Sequence, residues 1–416
     1  MRQAQLSQLN ELILRVGESN AFQRPRLQSG PIGSLADLAS IPVICKAELL
    51  RDQSAHPPLG TNLSYPVDDY THIHLTSGTV GEQLRVPQTD DDWRNTQAQF
   101  ELVLREAGLS RSDRVALPFA FGPYLQFWAA TAGVEAIGAL AIPLGGMATR
   151  ERLHAMIELG ATAIICAPSY ALALIEEAGR CGLEAAFESV GTIICQGEPG
   201  GSLAAAREQI ESAWGARVFD HAGSTEVGVF TYPCAAGGGL HINEDAFLCE
   251  VLDPQTGDPV DAGGHGELVL TALRRTGYPM IRFRSGDVVE VGGDCPGGHR
   301  HTWLPNGIVG RTDDMVVIGG MNVFPSAIEA TLREIGVLGG YRIRFDADAP
   351  DRDGVSVLVE TTDPKLVAQI EDLVAHRLAL HVRVVPVMPG TLKDARLKTR
   401  RVEDVRHRSG ASSAPR

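Results

Sequence analysis

Residues 76–87 have the sequence Thr76-Ser-Gly-Thr-Val-Gly-Glu-Gln-Leu-Arg-Val-Pro87 and follow the apolar segment His72-Ile-His-Leu75. Glycine lets the backbone approach a ligand closely, and hydroxyls and backbone amides donate hydrogen bonds to phosphate oxygens. The Walker P-loop needs a lysine after its second glycine, but Gly81 is followed by Glu82. The segment therefore predicts a polyphosphate loop of another kind, although Ser/Thr/Gly clusters also form ordinary turns.

The composition is that of a globular enzyme that does not bind nucleic acid. The chain of 416 residues is 44% hydrophobic and 21% charged, and its net charge of −14 lacks the basic surface that nucleic acids require. It has no apolar run of about eighteen residues to cross a membrane and no signal-peptide core at its start. Seven cysteines without dense spacing favour a reducing compartment. We therefore expect a cytoplasmic protein with no nucleic-acid or membrane partner.

Short apolar strands alternate with helical patterns between residues 90 and 200. This alternation predicts a largely parallel sheet with helices on both faces, whose ligands bind beyond the carboxyl ends of the strands. Residues 240–312 instead contain short strands separated by Gly/Pro/Asp turns, which predicts an antiparallel β subdomain. The predicted strands of the first region are 114–117, 161–167 and 191–196, and its predicted helices are 92–107, 149–159 and 169–179.

The pattern changes again after the turn Gly310-Arg-Thr-Asp313. Ser326-Ala-Ile-Glu329 fits a capping box that opens a helix, and alternating strands and a second helix follow up to residue 387. We predict an α/β protein with an N-terminal domain of residues 1–312 and a small α+β domain of residues 313–405. Residues 406–416 have the composition of a disordered tail.

Four further segments follow the glycine-rich loop in a fixed order, and together they resemble the motif series of the acyl-adenylate-forming (AMP-binding) superfamily. They are Asp220-His-Ala-Gly-Ser-Thr-Glu226, Arg282-Phe-Arg-Ser-Gly-Asp287, Gly310-Arg-Thr-Asp-Asp314 and Pro389-Gly-Thr-Leu-Lys-Asp-Ala-Arg-Leu-Lys398. A second set resembles the phenylacetate-CoA ligase family in particular: Gly145-Gly-Met147, Ala167-Pro-Ser-Tyr170, Gly239-Leu-His-Ile-Asn-Glu-Asp245 and Met321-Asn-Val-Phe-Pro325. The resemblance implies an adenylate-forming enzyme fold with a mobile C-terminal domain.

The resemblance also implies a reaction and its participants. The protein would be an ATP- and Mg²⁺-dependent ligase that converts a carboxylic acid, expected to be aromatic, into an acyl-AMP and transfers the acyl group to coenzyme A. The acyl group could instead go to a carrier-protein thiol or an amine. A nucleotide-binding protein without turnover is a third interpretation. The sequence does not decide whether the protein forms a homodimer.

Each residue role is carried over from this resemblance. Because the carboxylate attacks the α-phosphate of ATP and both groups are anions, the site must supply cations and oriented hydrogen-bond donors. Lys398 would contact the carboxylate and the α-phosphate, Glu226 would bind Mg²⁺, Asp287 and Arg311 would hold the ribose, and Asp313 would be the hinge. Thr79 would also take part in catalysis. The other positions expected to bind the nucleotide or coenzyme A are Thr76, Ser77, Gly78, Thr79, Gly81, Gly197, Glu198, Ala222, Gly223, Ser224, Thr225, Gly319 and Gly320.

Several positions depart from the family pattern or are less well defined. Ala222 replaces the aromatic residue that commonly stacks on adenine, and its neighbour His221 either lies near the acyl carboxylate or is a buried structural histidine. If the protein binds nucleotide without turnover, Ala222 and Val80 in the phosphate loop would mark the loss of activity. Tyr124 and Phe127 belong to an aromatic run that would line the acid pocket, although such runs are often core.

A zinc site is a further implication of the resemblance. Cys234, His241 and Cys295 stand where family members hold a structural zinc, but the expected last cysteine is Gly297. His301 or His299 could complete a Cys2His2 set, which zinc accepts. The alternative is a family position that has decayed. If zinc binds, it would stabilise the fold and take no part in catalysis.

Overall fold

The computed structural model describes most of the chain as two compact units, Met1–Ile308 and Val309–Arg416. We call these the N-terminal and C-terminal units. The division falls four residues before the predicted domain end at residue 312. The described residues are 2–27, 30–76, 83–236, 238–312, 316–318, 321–323, 325–335, 337, 340–346, 354–378, 380–392 and 402–405.

The described α-helices are α1 Arg2–Ser19, α2 Lys46–Ala55, α3 Asp90–Glu106, α4 Leu125–Ala136, α5 Thr149–Glu158, α6 Pro168–Cys181, α7 Ala204–Trp214, α8 Pro325–Glu334 and α9 Pro364–Leu378. Short 3-10 helices occur at Arg24–Arg26, Leu35–Ser40, Val67–Asp69 and Glu184–Phe187. Within the part of the chain that the structure describes, no helix combines the length and the apolar character needed to cross a membrane.

The described β-strands, in chain order, are β1 Tyr70–Leu75, β2 Arg85–Thr89, β3 Arg114–Leu117, β4 Leu140–Pro143, β5 Ala163–Cys166, β6 Thr192–Cys195, β7 Arg217–Asp220, β8 Gly223–Ser224, β9 Gly228–Val229, β10 Thr231–Pro233, β11 Leu240–Ile242, β12 Phe247–Leu252, β13 His265–Ala272, β14 Phe283–Glu290, β15 Trp303–Leu304, β16 Ile308–Arg311, β17 Val316–Ile318, β18 Met321–Val323, β19 Tyr341–Phe345, β20 Val355–Glu360, β21 Arg383–Val387 and β22 Val402–Asp404.

The centre of the N-terminal unit is the predicted parallel sheet. Its strands lie in the order β4-β3-β5-β6-β7, and every neighbouring pair is parallel. These strands are short and largely buried, as expected for a sheet covered on both faces. Helices α3 and α4 pack together on it through Phe100, Val103, Ala129 and other buried side chains. Parallel pairing directs the carboxyl ends of these strands to one edge.

The predicted antiparallel subdomain contains β12, β13 and β14. Helix α1 packs against this subdomain from the other end of the sequence. Leu9, Leu12, Ile13 and Val16 share a core with side chains such as Leu248, Leu273 and Ile281. The Gln5 amide donates to the carbonyl oxygens of Glu244 and Phe247 at 2.9 and 3.3 Å.

Arg282, just before β14, holds the N-terminal segment in place through hydrogen bonds. Its guanidinium donates two hydrogen bonds of 2.8 Å to the carboxylate of Glu250, and its Nη1 donates to the carbonyl oxygens of Ala39 and Ile41 at 3.1 and 2.6 Å. The residue is buried and has φ of 53°, a left-handed conformation that is costly for a side chain other than glycine. Ile44 then pairs with Phe283, so helix α2 begins beside the strand that carries Asp287.

The C-terminal unit is an α+β fold with its own core. Its sheet has the order β21-β20-β19-β22, with β19 and β20 antiparallel and the outer pairs parallel. Helix α8 begins at Pro325, one residue before Ser326, at which the sequence predicted the capping box. Proline is favoured in the first helical turn because that position needs no amide hydrogen bond.

Candidate active site

The parallel sheet brings two of the predicted nucleotide-binding segments to the same edge. Strands β6 and β7 are neighbours, and Cys195 lies opposite Asp220 at their carboxyl ends. Gly197 therefore leaves the sheet beside His221, as the strand pattern predicted. Gly197 is exposed and has φ of 88°, a conformation that favours glycine.

The segment from Gly223 to Glu226 forms a tight hairpin, in which Gly223 pairs with Val229 and Ser224 pairs with Gly228. The hydroxyl of Thr225 donates to the carbonyl oxygen of Leu75, the last residue of β1, at 3.4 Å. The hairpin is thus attached to the strand that leads into the predicted phosphate loop. Glu226 lies buried at its turn.

Thr76 forms the base of that loop. Its amide donates to the carbonyl oxygen of Leu84 at 3.0 Å, and its hydroxyl accepts from the Leu84 amide at 3.1 Å. Of the predicted loop residues, Ser77, Gly78, Thr79 and Gly81 lie outside the described residues. The predicted positions Asp313, Gly319, Gly320 and Lys398 also lie outside them.

Two cations lie near the Glu226 carboxylate. The ammonium of Lys46, the first residue of α2, is 3.1 Å from Glu226 Oε1. The guanidinium of Arg275 is buried and interacts electrostatically with Glu226 and Asp92. We did not predict either cation from the sequence, because both lie outside the family-like segments. The scarcity of lysine in the chain was a usable signal for Lys46.

His221 is buried between the sheet edge and α3. Its Nε2 lies 3.2 Å from Oε1 of Gln196, and its ring meets Phe100 edge-on at 4.9 Å. Burial lowers the pKa of His221 to about 4, so the ring is neutral at physiological pH. This environment favours the structural-histidine alternative. Its neighbour Ala222 is half-buried and packs against the apolar core of the unit.

The predicted acid-pocket residues lie in one aromatic cluster at the start of α4. Tyr124 is the residue before the helix, and its ring lies 6.2 Å from that of Phe127, which stacks on Phe119 at 4.7 Å. The amide nitrogen of Gln126 is 3.5 Å from the place where a Cβ on Gly197 would lie. The cluster therefore borders the carboxyl end of β6.

Glu198 has a local structural contact in addition to its predicted role. Its Oε1 accepts a 2.7 Å hydrogen bond from the Ser169 amide in the first turn of α6. A carboxylate there is stabilised by the positive end of the helix dipole.

Asp287 is half-buried in β14, and its amide donates to the Ser285 hydroxyl at 3.0 Å. Arg311 is the last residue of β16 and belongs to the C-terminal unit.

The structure brings Cys234, His241 and Cys295 together, with all three ligand atoms within 4.8 Å of one another. Cys295 Sγ lies 3.5 Å from Cys234 Sγ and 3.4 Å from His241 Nε2. Two sulfurs bound to zinc at about 2.3 Å in a tetrahedron lie roughly 3.8 Å apart. His241 Nδ1 donates to the His301 carbonyl oxygen at 3.2 Å, which leaves Nε2 free of its proton for a metal.

The group includes neither His299 nor the predicted ligand His301. The Nδ1 of His301 lies 3.0 Å from the Tyr232 hydroxyl. His299 is the nearer candidate, since its ring centroid is 4.7 Å from that of His241. A Cβ on Gly297 would lie 3.6 Å from Cys295 Sγ and 3.3 Å from the His299 ring, so position 297 faces the cluster.

Comparisons with known proteins agree with the motif series. The model for the AMP-binding enzyme C-terminal domain matches residues 320–406. A phenylacetate-coenzyme A ligase from Escherichia coli (strain K12) is 32% identical over 395 residues, covering 91% of this chain and 87% of that protein. Another phenylacetate-coenzyme A ligase, from Thermus thermophilus, is 30% identical over 374 residues, covering 88% of this chain and 82% of that protein.

A solved structure with a similar fold is 2-hydroxyisobutyryl-CoA ligase in the postadenylation state in complex with 2-HIB-AMP. It is 28% identical to this chain with a TM-score of 0.88, covering 97% of this chain and 89% of that one. The relatives match through both units, and the motif order and the parallel-sheet fold agree with them. The chain therefore belongs to the phenylacetate-coenzyme A ligase family of AMP-binding enzymes.

Proposed function

We propose that the protein is an AMP-forming acid–thiol ligase that adenylates an aromatic carboxylic acid and transfers the acyl group to coenzyme A. The observation that carries this proposal is the placement of Glu226: it is buried at the carboxyl edge of the parallel sheet, in a hairpin attached to the strand before the glycine-rich loop. The family relatives named above are coenzyme A ligases. ATP and coenzyme A as substrates agree with the predicted cytoplasmic location.

The residue roles are those that the family resemblance implies, and several of them agree with the charge that the reaction must neutralise. A carboxylate that attacks the α-phosphate brings two anions together, so oriented donors and cations lower the barrier. Glu226 would hold Mg²⁺, since its buried carboxylate suits a hard cation, and the ion would offset phosphate charge. Lys398 would contact the carboxylate and the α-phosphate, Asp287 and Arg311 the ribose, and Asp313 would act as the hinge between the half-reactions.

An aromatic acid is supported by the cluster at the start of α4. Phe119, Tyr124 and Phe127 form an aromatic wall beside Gly197, and half-buried aromatic rings match the flat apolar face of an aryl acid. The relatives include phenylacetate ligases, whereas the solved neighbour is a 2-hydroxyisobutyryl-CoA ligase. We place the acid pocket at this wall.

Acid-dependent exchange of pyrophosphate into ATP tests the proposal. Aromatic acids should support exchange better than acetate or long fatty acids, and coenzyme A should convert the adenylate to a thioester. Glu226→Gln should lower exchange by about 10²-fold, because one lost charge stabilisation costs several kcal/mol. Glu177→Gln, in the distant helix α6 where Glu177 pairs with the exposed Arg180, should not. No exchange with any acid of a broad panel would exclude adenylation. Exchange without thioester formation would favour another acceptor.

We also propose a structural zinc at Cys234, His241 and Cys295. Two thiolates and one imidazole are three of the four ligands of such a site, and their ligand atoms already lie within 4.8 Å of one another. His299, rather than His301, would supply the fourth ligand, or a water would. The backbone amide of Gly297 donates to Cys295 Sγ at 3.3 Å, a contact that supports a thiolate.

The protein as isolated should contain close to one zinc per chain by elemental analysis. Cys295→Ser should lower both the zinc content and the melting temperature, because the binding free energy of a structural metal contributes to folding. Cys181→Ser, at the exposed end of α6, is the matched control and should change neither. Full thermal stability in a preparation without zinc would show that the three residues no longer bind metal.

A further inference from the structure

An exposed pair of aromatic side chains lies beside the proposed acid pocket. Phe121, in the loop after β3, is 36% exposed, and Trp128, in α4, is 45% exposed. Their ring centroids are 5.0 Å apart. Single exposed apolar residues are common on protein surfaces, but large aromatic rings in contact with each other expose area that a ligand or a partner would bury. The packing of the core therefore does not explain this pair.

The exposed pair continues the aromatic wall of the proposed pocket. Phe121 meets Phe119 edge-on with ring centroids 5.7 Å apart, and Phe119 stacks on Phe127 at 4.7 Å. Phe119 and Phe127 are half-buried. The rings thus form one row that runs from the half-buried wall to the protein surface. Such a row offers a continuous face on which a ligand with more than one aromatic ring can lie.

Hydrogen bonds hold the loop before α4 in position. The indole Nε1 of Trp128 donates to the carbonyl oxygen of Gly122 at 2.8 Å. The carbonyl oxygen of Pro123 accepts from the Leu75 amide at 2.7 Å, so the same loop is attached to the strand before the glycine-rich loop. The row of rings is therefore ordered before a ligand binds, which reduces the entropic cost of binding.

The packing of α4 keeps Trp128 at the surface. Ala129 and Gly133 of the same helix are buried, and a Cβ on Gly133 would lie 2.8 Å from the Phe100 ring of α3. Two helices in such close contact leave no room for one of them to rotate. Trp128 therefore stays exposed until something outside the core covers it.

We propose that Phe121 and Trp128 are specificity-determining residues that bind a second ring on the acid, so the preferred substrate is an aromatic acid extended by an aryl substituent. The carboxylate would face the nucleotide site, the first ring would lie against Phe127, and the substituent would extend past Phe119 to the exposed pair. An acid with one ring covers only the wall, whereas an extended acid also removes the apolar area of the pair from water. This inference rests on the proposed function, because it takes the wall as the acid pocket.

Formation of the coenzyme A thioester from phenylacetate and from 4-biphenylacetate tests this inference. The wild-type protein should have a KM for 4-biphenylacetate about tenfold lower than for phenylacetate. Trp128→Ala and Phe121→Ala should each raise the KM for 4-biphenylacetate about threefold, the effect of losing one aromatic contact, and the double variant should lose the preference. The KM for phenylacetate should stay near the wild-type value. Because the substituent lies away from the reacting carboxylate, kcat should not change.

Three further variants serve as controls. Leu159→Ala removes an exposed apolar side chain just before β5, at the opposite edge of the sheet, and should change neither KM. Trp128→Phe keeps an aromatic ring and should retain part of the preference. Phe127→Ala, in the wall itself, should raise the KM for both acids.

Equal KM values of the wild-type protein for the two acids would overturn the inference. An equal loss for both acids in Trp128→Ala and Phe121→Ala would also overturn it, because the pair would then only support the fold of the loop. If both variants kept the wild-type KM values but lost self-association in analytical ultracentrifugation, the pair would be an interface between two copies of the chain. Failure of the wild-type protein to activate any acid of a broad panel would instead remove the proposed function, and this inference with it.

Discussion

Lys398→Ala is expected to lower acyl-adenylate formation about 10²-fold or more and to leave transfer from chemically made acyl-AMP to coenzyme A near the wild-type rate. The lysine would offset negative charge where the carboxylate meets the α-phosphate. Thiol attack on acyl-AMP expels a good leaving group and does not need that cation. Single-turnover assays of each half-reaction measure the two rates separately.

Lys393→Ala is the control for Lys398→Ala, because it removes a lysine from the same predicted segment. It should keep both half-reactions near the wild-type rates. Equal loss of both half-reactions in Lys398→Ala would indicate a structural role and would remove the main support for alternation of the C-terminal unit.

Arg282→Met is expected to destabilise the N-terminal unit by about 3 kcal/mol or more, the usual cost when one partner of a buried ion pair is removed. Methionine keeps the apolar stem but leaves the Glu250 carboxylate and the Ala39 and Ile41 carbonyl oxygens without their donor. Urea unfolding, followed by tryptophan fluorescence, measures the change.

The pair of Arg180 and Glu177 provides the comparison, because the Arg180 side chain is 73% exposed. Arg180 also bonds one carboxylate through Nε and Nη2, so Arg180→Met removes a similar ion pair from a solvated position and should cost less than about 1 kcal/mol. Arg282→Lys should be intermediate, because one ammonium cannot reach all the acceptors that the guanidinium fork contacts. Equal stability of Arg282→Met and wild type would mean that the N-terminal segment is held by its apolar contacts alone.

The sequence predicted strands and helices well where the apolar pattern was strong. Strand Arg114–Leu117 has the predicted bounds, and the parallel pairing follows from strands that alternate with helices. Helix α4 was missed because its residues are apolar on nearly all sides, so they show no period of 3.6. Helix α1 was missed although it buries an apolar stripe, because its partners lie in the distant antiparallel subdomain.

The candidate site was predictable where a motif fixes both the residue type and its place after a strand. Gly197 follows β6 and the segment from Gly223 to Glu226 follows β7, at the edge of the sheet beyond the carboxyl ends of the strands. Lys46 and Arg275 were not predictable in this way, because their approach to Glu226 depends on contacts between segments far apart in the chain. Neither His299 nor His301 joins Cys234, His241 and Cys295 in the structure, because the spacing of histidines does not determine the direction of their side chains.

On the ribosome, α1 is made long before the surface that it covers. Gln5 and Glu244, which are joined by a hydrogen bond, are 239 residues apart, and synthesis at about 5–20 residues per second separates them by tens of seconds. During that time Leu9, Leu12, Ile13 and Val16 have no native core to enter. The nascent chain therefore offers the apolar face of α1 to chaperones, and the segment around Ile44 can pair with the start of β14 only after residue 284 has been made.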